Sequence, residues 1–346
     1  MKVAIIGAGV LGRITALELI AQHHKVTLLE AKSFDHPRGA AVISAGMIAP
    51  ATESLGASPQ AREMAFHSEA RWPHILALLT ELDPDHQPVY FNQSGALAVA
   101  FPDEMRCLFE LRHQLECTYP NNKEEYETCY NHEVTDLEPD LIRFETALYL
   151  KTESNICNRQ FIESSTRTLR KQATIIDYWP LQGSGDELSE QYDWVIDCRG
   201  PGAAKSASYA EQSDNHLRTV RSEAFRVKAP KVHFTRPLHV IQPRFHIYVV
   251  PKPNNIYVIG ATDSHNLKVK TVTVQSSLES LSTLNSIHQG FAEAEIMEAF
   301  SANRACYEDN RPQITQHENI ITANGLSRQG WLLGPAIAEQ LIERLH

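Results

Sequence analysis

The feature that most constrains the fold of this chain is a glycine-rich turn between a short apolar strand and a helix near its beginning. The letters KVAII at residues 2–6 indicate a buried strand, and GAGVLG follows with Gly7, Gly9 and Gly12 in the spacing G-x-G-x-x-G. Apolar residues then recur at helical spacing, and a second apolar strand, KVTLLE, covers residues 25–30. This order predicts a strand–helix–strand unit of a parallel sheet.

The three glycines and the acid that follows them have separate roles in a dinucleotide site. Gly7 permits a tight turn, Gly9 lets the backbone approach a pyrophosphate, and Gly12 allows close packing of helix on strand. The helix N-terminus offers free N–H groups and a partial positive charge. Glu30, 21 residues after Gly9, can accept hydrogen bonds from a ribose diol and would repel a 2′-phosphate, which disfavours NADP. The motif by itself does not separate FAD from NAD.

Length, charge and cysteine usage limit the class of protein. A chain of 346 residues corresponds to about two domains. Its formal charge of −10 argues against nucleic acids and anionic membranes as partners. The six cysteines have no C-x-x-C spacing, which argues against a metal site and fits free thiols in a reducing cytoplasm. Two long uncharged stretches, Gly39–Thr52 and Gln87–Pro102, have 14 and 16 residues, and a spanning helix needs about 20. We therefore expect a cytoplasmic protein without a membrane span.

The rest of the chain alternates between helical and strand patterns. Helices are predicted over 61–83, 103–117, 158–172, within 275–299 and from Gly334 to the end, with Pro335 in the first turn of the last one. Strands are predicted over 95–101, 174–179 and 193–198, and residues 220–262 are rich in strand signals around a hairpin at 251–255. Because the strand–helix–strand stretches are far apart in the chain, we expect two interleaved domains.

Two later segments carry a resemblance to a known family. ISAGMIAP (43–50) follows the first unit, and NGLSRQGWLLGP (324–335) lies near the C-terminus. With the glycine turn and Glu30, they resemble the D-amino-acid oxidase superfamily, most closely its glycine oxidase branch. Further matching segments are DCRGPGA (197–203), VRSEAFRV (220–227), YVVPKPNNIYVIGATD (248–263) and RACYEDNRPQI (304–314). The resemblance runs over essentially the whole chain.

The resemblance implies an α/β fold in which a Rossmann-type FAD-binding domain is interleaved with a substrate domain built on a mixed or antiparallel sheet. Residues 1–55, 155–220 and 300–346 would form the FAD-binding domain, and residues 56–154 and 221–299 the substrate domain.

The resemblance also implies which residues would hold the cofactor. They are Val10 and Leu11 at the pyrophosphate, Glu30 and Ala31 at the adenosine ribose, Leu181 at the adenine, Ala40, Ala41, Ala45, Gly46 and Met47 beside the flavin, and Leu326, Ser327, Arg328, Gln329, Gly330, Trp331 and Leu332 along the isoalloxazine. Backbone N–H groups at the start of the last helix would stabilise negative charge on the reduced flavin. Sarcosine oxidases of this superfamily tether the flavin through a cysteine. The spacing of Cys306, the nearby thiol, does not match, so we expect noncovalent FAD.

A substrate carboxylate needs a cationic partner, and a planar guanidinium is the best one. The resemblance implies this role for Arg304, although Ala305 follows it where the family has proline. Arg311 is a rival because Arg311-Pro312 has the family's Arg-Pro order. It implies a hydrogen bond to the carboxylate from Tyr248 and places Arg328 near the substrate end of the flavin. On a strand, His246 would share a face with Tyr248 and is a further pocket candidate, or else an ordinary half-buried histidine.

The implied activity is oxidative deamination of glycine, a small amine or a D-amino acid. A hydride would pass to flavin N5, O2 would be the electron acceptor, and the products would be imine or oxo acid, ammonia and H2O2, with a role in thiamin synthesis. Ala305 replaces the family's proline and Ser327 its tyrosine, which leaves the preference for glycine open. The alternatives are a dehydrogenase that uses a quinone or carrier, a flavin-binding partner protein without amine turnover, and an NAD-dependent dehydrogenase. Homo-oligomers are expected by analogy alone.

Overall fold

The computed structural model describes residues 1–120, 124–180, 186–205, 217–264, 267 and 269–345. The strands in chain order are β1 (Lys2–Ile6), β2 (Lys25–Leu29), β3 (Met47–Ile48), β4 (Phe91–Asn92), β5 (Ala96–Val99), β6 (Tyr126–Tyr130), β7 (Thr146–Leu150), β8 (Ser154–Ile156), β9 (Thr174–Ile176), β10 (Trp194–Asp197), β11 (Arg218–Lys228), β12 (Leu238–Ile241), β13 (His246–Lys252), β14 (Ile256–Ser264), β15 (Glu295–Cys306), β16 (Gln313–His317) and β17 (Ile320–Asn324).

The helices in chain order are α1 (Val10–Ala21), α2 (Ala40–Ile43), α3 (Pro50–Glu53), α4 (Pro59–Ala70), α5 (Trp72–Leu82), α6 (Met105–Thr118), α7 (His132–Leu137), α8 (Asn158–Gln172), α9 (Asp186–Ser189), α10 (Val274–Ile287) and α11 (Gly330–Glu343). Short 3₁₀ turns cover Pro102–Glu104, Pro139–Leu141, Gly200–Lys205 and Gln289–Phe291. Among the described residues there is no helix with the length and apolar character needed to cross a lipid bilayer.

The glycine turn belongs to a six-stranded sheet with the order β16-β17-β10-β1-β2-β9. All neighbouring strands in it are parallel except the edge pair β16–β17. In β1 and β2 every residue after the first lysine is buried, as expected for parallel strands covered on both faces. Helix α1 connects these two neighbours, so the predicted strand–helix–strand unit is confirmed.

Aromatic side chains fill the helical layer on this sheet. The rings of Trp72, Phe161 and Trp331 pack with centroids 5.4 to 5.6 Å apart. Helix α11 begins at Gly330, so the prediction that Pro335 lies in the first turn was wrong: it lies inside the helix. A proline inside a helix leaves the carbonyl four residues earlier without its N–H partner. Here that carbonyl belongs to Trp331 and accepts a hydrogen bond from the indole Nε1 of Trp72 at 2.9 Å.

A second, eight-stranded sheet has the order β15-β11-β14-β13-β12-β5-β7-β6. Only the pair β12–β5 in it is parallel, which matches the expected mixed sheet. The predicted hairpin is β13–β14, and Asn254 and Asn255 in its turn have φ of 67° and 57°. Asparagine tolerates this left-handed region better than most residues. A three-stranded sheet, β3-β8-β4, completes the strand structure of the described residues.

Two helix predictions need correction. The single helix expected over 61–83 is divided into α4 and α5 at Arg71, because Pro73 is tolerated only in the first turn of a helix. The helical pattern expected over 275–299 ends at Ile287, and β15 begins at Glu295. The letters EIMEAF favour a helix locally, but β15 pairs with β11 along its whole length, and this long-range pairing overrides the local propensity.

The division of the chain into two domains stays a proposal, and the packing bears on its boundaries. Ala65, Trp72 and Leu79 of α4 and α5 lie in the same core cluster as β1 and α1. Strand β15 belongs to the eight-stranded sheet up to Cys306. We therefore propose that residues 59–82 belong with the first sheet and that the last boundary follows residue 306 instead of preceding residue 300.

Candidate functional site

Two helix N-termini lie side by side at the carboxyl end of the parallel strands. Helix α1 follows β1 through the glycine turn, and α11 follows β17. A Cβ on Gly330 would lie 3.4 Å from Cγ1 of Val10, and one on Gly334 would lie 3.2 Å from Cδ1 of Ile14, so the two helices run together from their first turns. Within the described chain no side chain at the N-cap positions closes either helix. Their first N–H groups are therefore available to an anionic ligand.

The three glycines of the turn differ in what surrounds them. Gly7 has a φ of +102°, and a Cβ there would lie 2.6 Å from Cα of Arg199. A Cβ on Gly12 would lie 2.0 Å from the carbonyl oxygen of Gly7. The protein's own packing thus requires both glycines. A Cβ on Gly9 would meet no described atom within 4 Å, so the open space beside Gly9 fits close approach by a ligand.

Glu30 lies beside this turn at the end of β2. Its Oε2 accepts a hydrogen bond from the Ala8 N–H at 2.9 Å, and its Oε1 accepts one from the Lys32 N–H at 3.2 Å. The carboxylate is therefore fixed next to the glycine turn, where a ribose would follow the pyrophosphate. Ala31 is half-buried beside it. Leu181, the residue expected at the adenine, lies outside the described residues.

An open cavity joins the two predicted flavin segments to the eight-stranded sheet. On one side the cavity is lined by residues of α2 and of the two flavin segments, namely Ala40, Ile43, Ser44, Ala45, Gly46, Met47, Arg328, Gln329, Trp331 and Leu332. From α3 and the eight-stranded sheet it is lined by Glu53, Ser222, Glu223, Ala224, Tyr248, Gly260, Ala261, Asp263, Ala302 and Arg304. The indole Nε1 of Trp331 donates to Oγ of Ser44 at 2.7 Å, which ties the two flavin segments together directly.

Four of the predicted flavin residues lie next to this cavity without lining it. Ala41 and Leu326 pack against the core of the first sheet, and Gly330 faces Val10. Ser327 has a φ of 49° and donates its N–H to the Ala305 carbonyl at 2.9 Å. That bond connects the start of α11 to β15, so the residue that departs from the family's tyrosine has a structural role.

Arg304 is the predicted arginine that reaches the cavity from β15. Ala302 and Arg304, two residues apart, both line it, as the alternation of a strand requires. The Arg304 side chain is 10% exposed and pairs with Asp263 through Nη2. Its Nε is buried and has no hydrogen-bond partner in the part of the chain that the structure describes. Arg311 is exposed and is not among the residues that line the cavity, so the geometry favours Arg304 over its rival.

Glu53 contacts both Tyr248 and Arg328, the second arginine that lines the cavity. It ends α3, accepts a hydrogen bond from the Tyr248 hydroxyl, and lies 3.2 Å from Nε of Arg328. The Arg328 guanidinium also lies 5.9 Å from the centre of the Tyr248 ring. Burial and the Glu53 carboxylate raise the pKa of Tyr248 well above its ordinary value, so the phenol stays protonated. The Glu53 carboxylate raises the pKa of Arg328, so the guanidinium stays charged.

A buried pair lies behind Tyr248. The ring of His239 packs edge-on against that of Tyr248 with centroids 4.7 Å apart. Its Nε2 lies 2.6 Å from Oε2 of Glu153, and both side chains are almost completely buried. Oε1 of Glu153 accepts a hydrogen bond from the Thr52 N–H at 3.2 Å, next to Glu53. This pair therefore supports both partners of the Tyr248–Glu53 contact.

Sequence reasoning missed several residues of the site and included one that does not line the cavity. His246 is exposed at the start of β13 and is not among the residues that line the cavity. Glu53, Asp263 and Glu223 were missed because lone acids have no recognisable spacing. A signal existed in the segments that carry the resemblance: Glu223 lies within VRSEAFRV, Asp263 ends YVVPKPNNIYVIGATD, and Glu53 follows ISAGMIAP by three residues.

Comparison with known proteins places the chain in a family. A family model described as DAO, FAD dependent oxidoreductase, matches residues 2–344. A protein of Rhizobium etli named for a thiamine biosynthesis oxidoreductase, ThiO, is 29% identical over 349 residues, which cover 100% of this chain and 96% of the relative.

Two solved structures have the same fold. Glycine oxidase from Geobacillus kaustophilus has a TM-score of 0.84 and 22% identity, covering 99% of this chain and 94% of its own. Iminodiacetate oxidase from Chelativorans has a TM-score of 0.80 and 20% identity, covering 98% of this chain and 94% of its own. The α/β fold with parallel and mixed sheets expected from the sequence is therefore confirmed.

Proposed function

Because the chain belongs to the FAD dependent oxidoreductase family, we propose that it oxidises glycine, another small amine or a D-amino acid, and that the products are an imine or oxo acid, ammonia and H2O2. The observation that carries this proposal is a single cavity that joins both flavin segments to the buried guanidinium of Arg304. The similarity in fold to a glycine oxidase and an iminodiacetate oxidase supports a small amino acid as substrate. The ThiO relative supports a role in thiamin synthesis.

The residues at the carboxyl end of the parallel sheet fit FAD. The pyrophosphate would lie at Gly9 and the first turn of α1, where a Cβ meets no described atom within 4 Å. The ribose would lie at Glu30, and the isoalloxazine along Gly46, Met47 and the start of α11. When bound, FAD supplies a two-electron acceptor for the hydride of the substrate and returns the electrons to O2. The uncapped N–H groups of α11 would stabilise negative charge on the reduced ring.

We propose that the cofactor is held without a covalent bond. Cys306 is 1% exposed and is not among the residues that line the cavity. All six cysteines, each in the described chain, are free, which supports a reducing cytoplasm as the location.

The chain's own residues would bind and orient the substrate. The Nε of Arg304 is an unused donor in a buried position, and a carboxylate is its best acceptor. The Tyr248 hydroxyl has one proton, which it donates to Glu53. When a substrate carboxylate binds, the Tyr248 hydroxyl would donate its hydrogen bond to the substrate instead of to Glu53. Glu53 would then stay paired with Arg328. If the amine arrives neutral, its oxidation needs no further acid or base from the protein.

Absorbance spectroscopy of the purified protein tests the proposal. We expect flavin bands, and acid precipitation should leave the flavin in the supernatant if it is not covalently bound. Anaerobic addition of glycine, sarcosine or D-alanine should bleach these bands, and readmitted O2 should restore them with one H2O2 per bleached flavin. Absence of bleaching with every amino acid and amine would overturn amine oxidation. Bleaching without H2O2 would indicate a dehydrogenase with another electron acceptor.

A further inference from the structure

Each arginine that lines the cavity is already paired with a carboxylate of the chain. Arg328 is paired with Glu53, and Arg304 with Asp263. The two acids differ in exposure, because 15% of the Glu53 side chain is exposed but 45% of the Asp263 side chain. Glu53 is also bonded to the Tyr248 hydroxyl. Glu223, the third acid that lines the cavity, is 1% exposed and paired with Arg221. Asp263 is therefore the carboxylate of the cavity with room for another partner.

The strand pairing fixes Asp263 at the edge of the cavity. Asp263 of β14 lies opposite Ser222 of β11, and the Ser222 hydroxyl donates to its Oδ1 at 3.3 Å. The same oxygen is bonded to Arg304. A carboxylate has about four acceptor positions on its two oxygens, so its exposed side can still bind a cation without breaking these contacts.

Charge balance then restricts which substrate the site accepts. A substrate carboxylate on Arg304 would place one guanidinium between two carboxylates and leave a local charge of about −1. An additional positive charge on the substrate restores neutrality, whereas a second negative charge makes the imbalance worse. Between charges a few ångströms apart in a partly buried site, this difference corresponds to at least about tenfold in affinity.

We propose that Asp263 determines the specificity of the site, so that it favours amino acids with a cationic group besides the oxidised amine over neutral and dicarboxylic ones. This inference rests on the proposed function and names the substrate class of the same cavity. Asp263 acts here by direct contact with the second cation of the substrate, while Arg304 binds the carboxylate.

Three ligands with a four-carbon chain and no α-amine test the charge preference by binding alone. They are 4-aminobutanoate, butanoate and succinate, which carry an ammonium, a methyl and a carboxylate at the far end. Their dissociation constants are measured by perturbation of the flavin spectrum of the holoenzyme. We expect 4-aminobutanoate to bind at least about tenfold more tightly than butanoate, and succinate to bind most weakly.

The variant D263N keeps the shape of the side chain and removes its charge. It should bind 4-aminobutanoate and butanoate within about twofold of each other and bind succinate more tightly than the wild type does. D263E should retain the wild-type order, and this variant keeps the test valid if the amide destabilises the fold. The control D85N removes the same charge from a side chain that is 86% exposed and should leave the order unchanged.

Turnover provides a second readout. D-ornithine, D-norvaline and D-glutamate differ in the charge at the end of side chains of similar length, and we expect anaerobic flavin reduction to be most efficient with D-ornithine. D263N should remove this preference. Equal affinities for the three ligands in the wild type, or an unchanged order in D263N, would overturn the role of Asp263 and leave amine oxidation standing. Failure of the proposed function itself would be seen as a flavin that no amino acid reduces.

Discussion

The two regions that meet at the cavity present different atoms to a ligand. The six-stranded sheet presents backbone groups, namely the open turn at Gly9 and the uncapped first turns of α1 and α11. The eight-stranded sheet presents side chains, of which Tyr248, Asp263 and Arg304 are the polar ones with roles assigned above. Ligand binding in the first region therefore depends on open space beside the backbone, and in the second region it depends on charged and polar side chains.

The two regions also differ in how the sequence encodes them. The glycine turn is contained in six consecutive residues, Gly7–Gly12. In the cavity, Arg304 and Asp263 are 41 residues apart, and Tyr248 and Glu53 are 195 apart. A site made of backbone can be local, because neighbouring residues share one turn. A site made of opposite charges is assembled by strand pairing across the chain.

Adding one methyl group to the glycine turn should have the largest effect. In G12A the new Cβ would lie 2.0 Å from the Gly7 carbonyl oxygen, so α1 must move. We expect a loss of about 3 kcal/mol in the free energy of unfolding, measured in urea without cofactor. G9A is the matched control, since its Cβ meets no described atom within 4 Å; its unfolding free energy should change by less than about 1 kcal/mol.

The same control separates folding from cofactor binding. G9A should weaken FAD binding by about tenfold or more, because the methyl group would occupy the space where the pyrophosphate approaches the backbone. Normal FAD affinity in G9A would show that the turn does not contact the pyrophosphate. Normal stability in G12A would contradict the close packing of α1 on β1.

What the sequence predicts well follows the same division. Strands β1 and β2 and helix α1 were predicted because local spacing and turn chemistry determine them, whereas the segments beside the flavin were identified from the family resemblance. Strand β15 was not predicted, although it carries Arg304. Its first residues are good helix formers, and only the pairing with β11 makes them a strand.

The partners of the predicted arginine could not be inferred from the sequence either. Asp263 and Arg304 become neighbours because β14 and β15 both pair with β11, at Ser222 and Val220. Glu53 reaches Tyr248 because α3 follows the flavin segment across the cavity. The resemblance supplied the residue types of the site. The ion pairs that determine its charge balance depend on strand register, which no local pattern specifies.

Removing the guanidinium from the side-chain region should have the next largest effect. R304M should lower kcat/KM for an amino acid by about a hundredfold or more, because the substrate carboxylate would lose its charged partner. FAD affinity should stay unchanged, since the cofactor is held by the other region. R311M removes an exposed arginine of the same segment and should change kcat/KM by less than about twofold. The opposite pattern would assign the carboxylate to Arg311.

A smaller effect is expected from a buried cation that lies outside the cavity. Each of the two regions contains one such cation. Arg13 in the first region is fully buried, and its guanidinium donates to the Ala8 carbonyl at 2.9 Å and to the Thr166 hydroxyl at 2.8 Å, among others. Lys252 in the second region is 5% exposed, and its Nζ donates to the Ile156 carbonyl at 2.6 Å. Burial lowers the pKa of Lys252 from 10.5 to about 7. Burial also lowers the pKa of Arg13, from 12.5 to about 9, so Lys252 is the one of the two that titrates near neutral pH.

The pH dependence of stability should reveal the titration of Lys252. Between pH 7 and 10.5 the unfolded chain binds more protons at Lys252 than the folded chain, so folding becomes more favourable as the pH rises. The free energy of unfolding of the wild type, minus that of K252M, should therefore increase by about 2 kcal/mol between pH 7 and pH 9 in urea titrations. K228M, which removes an exposed lysine at the end of β11, should show no such slope. A constant difference between wild type and K252M would mean that Lys252 keeps its proton in the folded state. The eight-stranded region would then tolerate an unpaired buried charge as well as the first region tolerates Arg13.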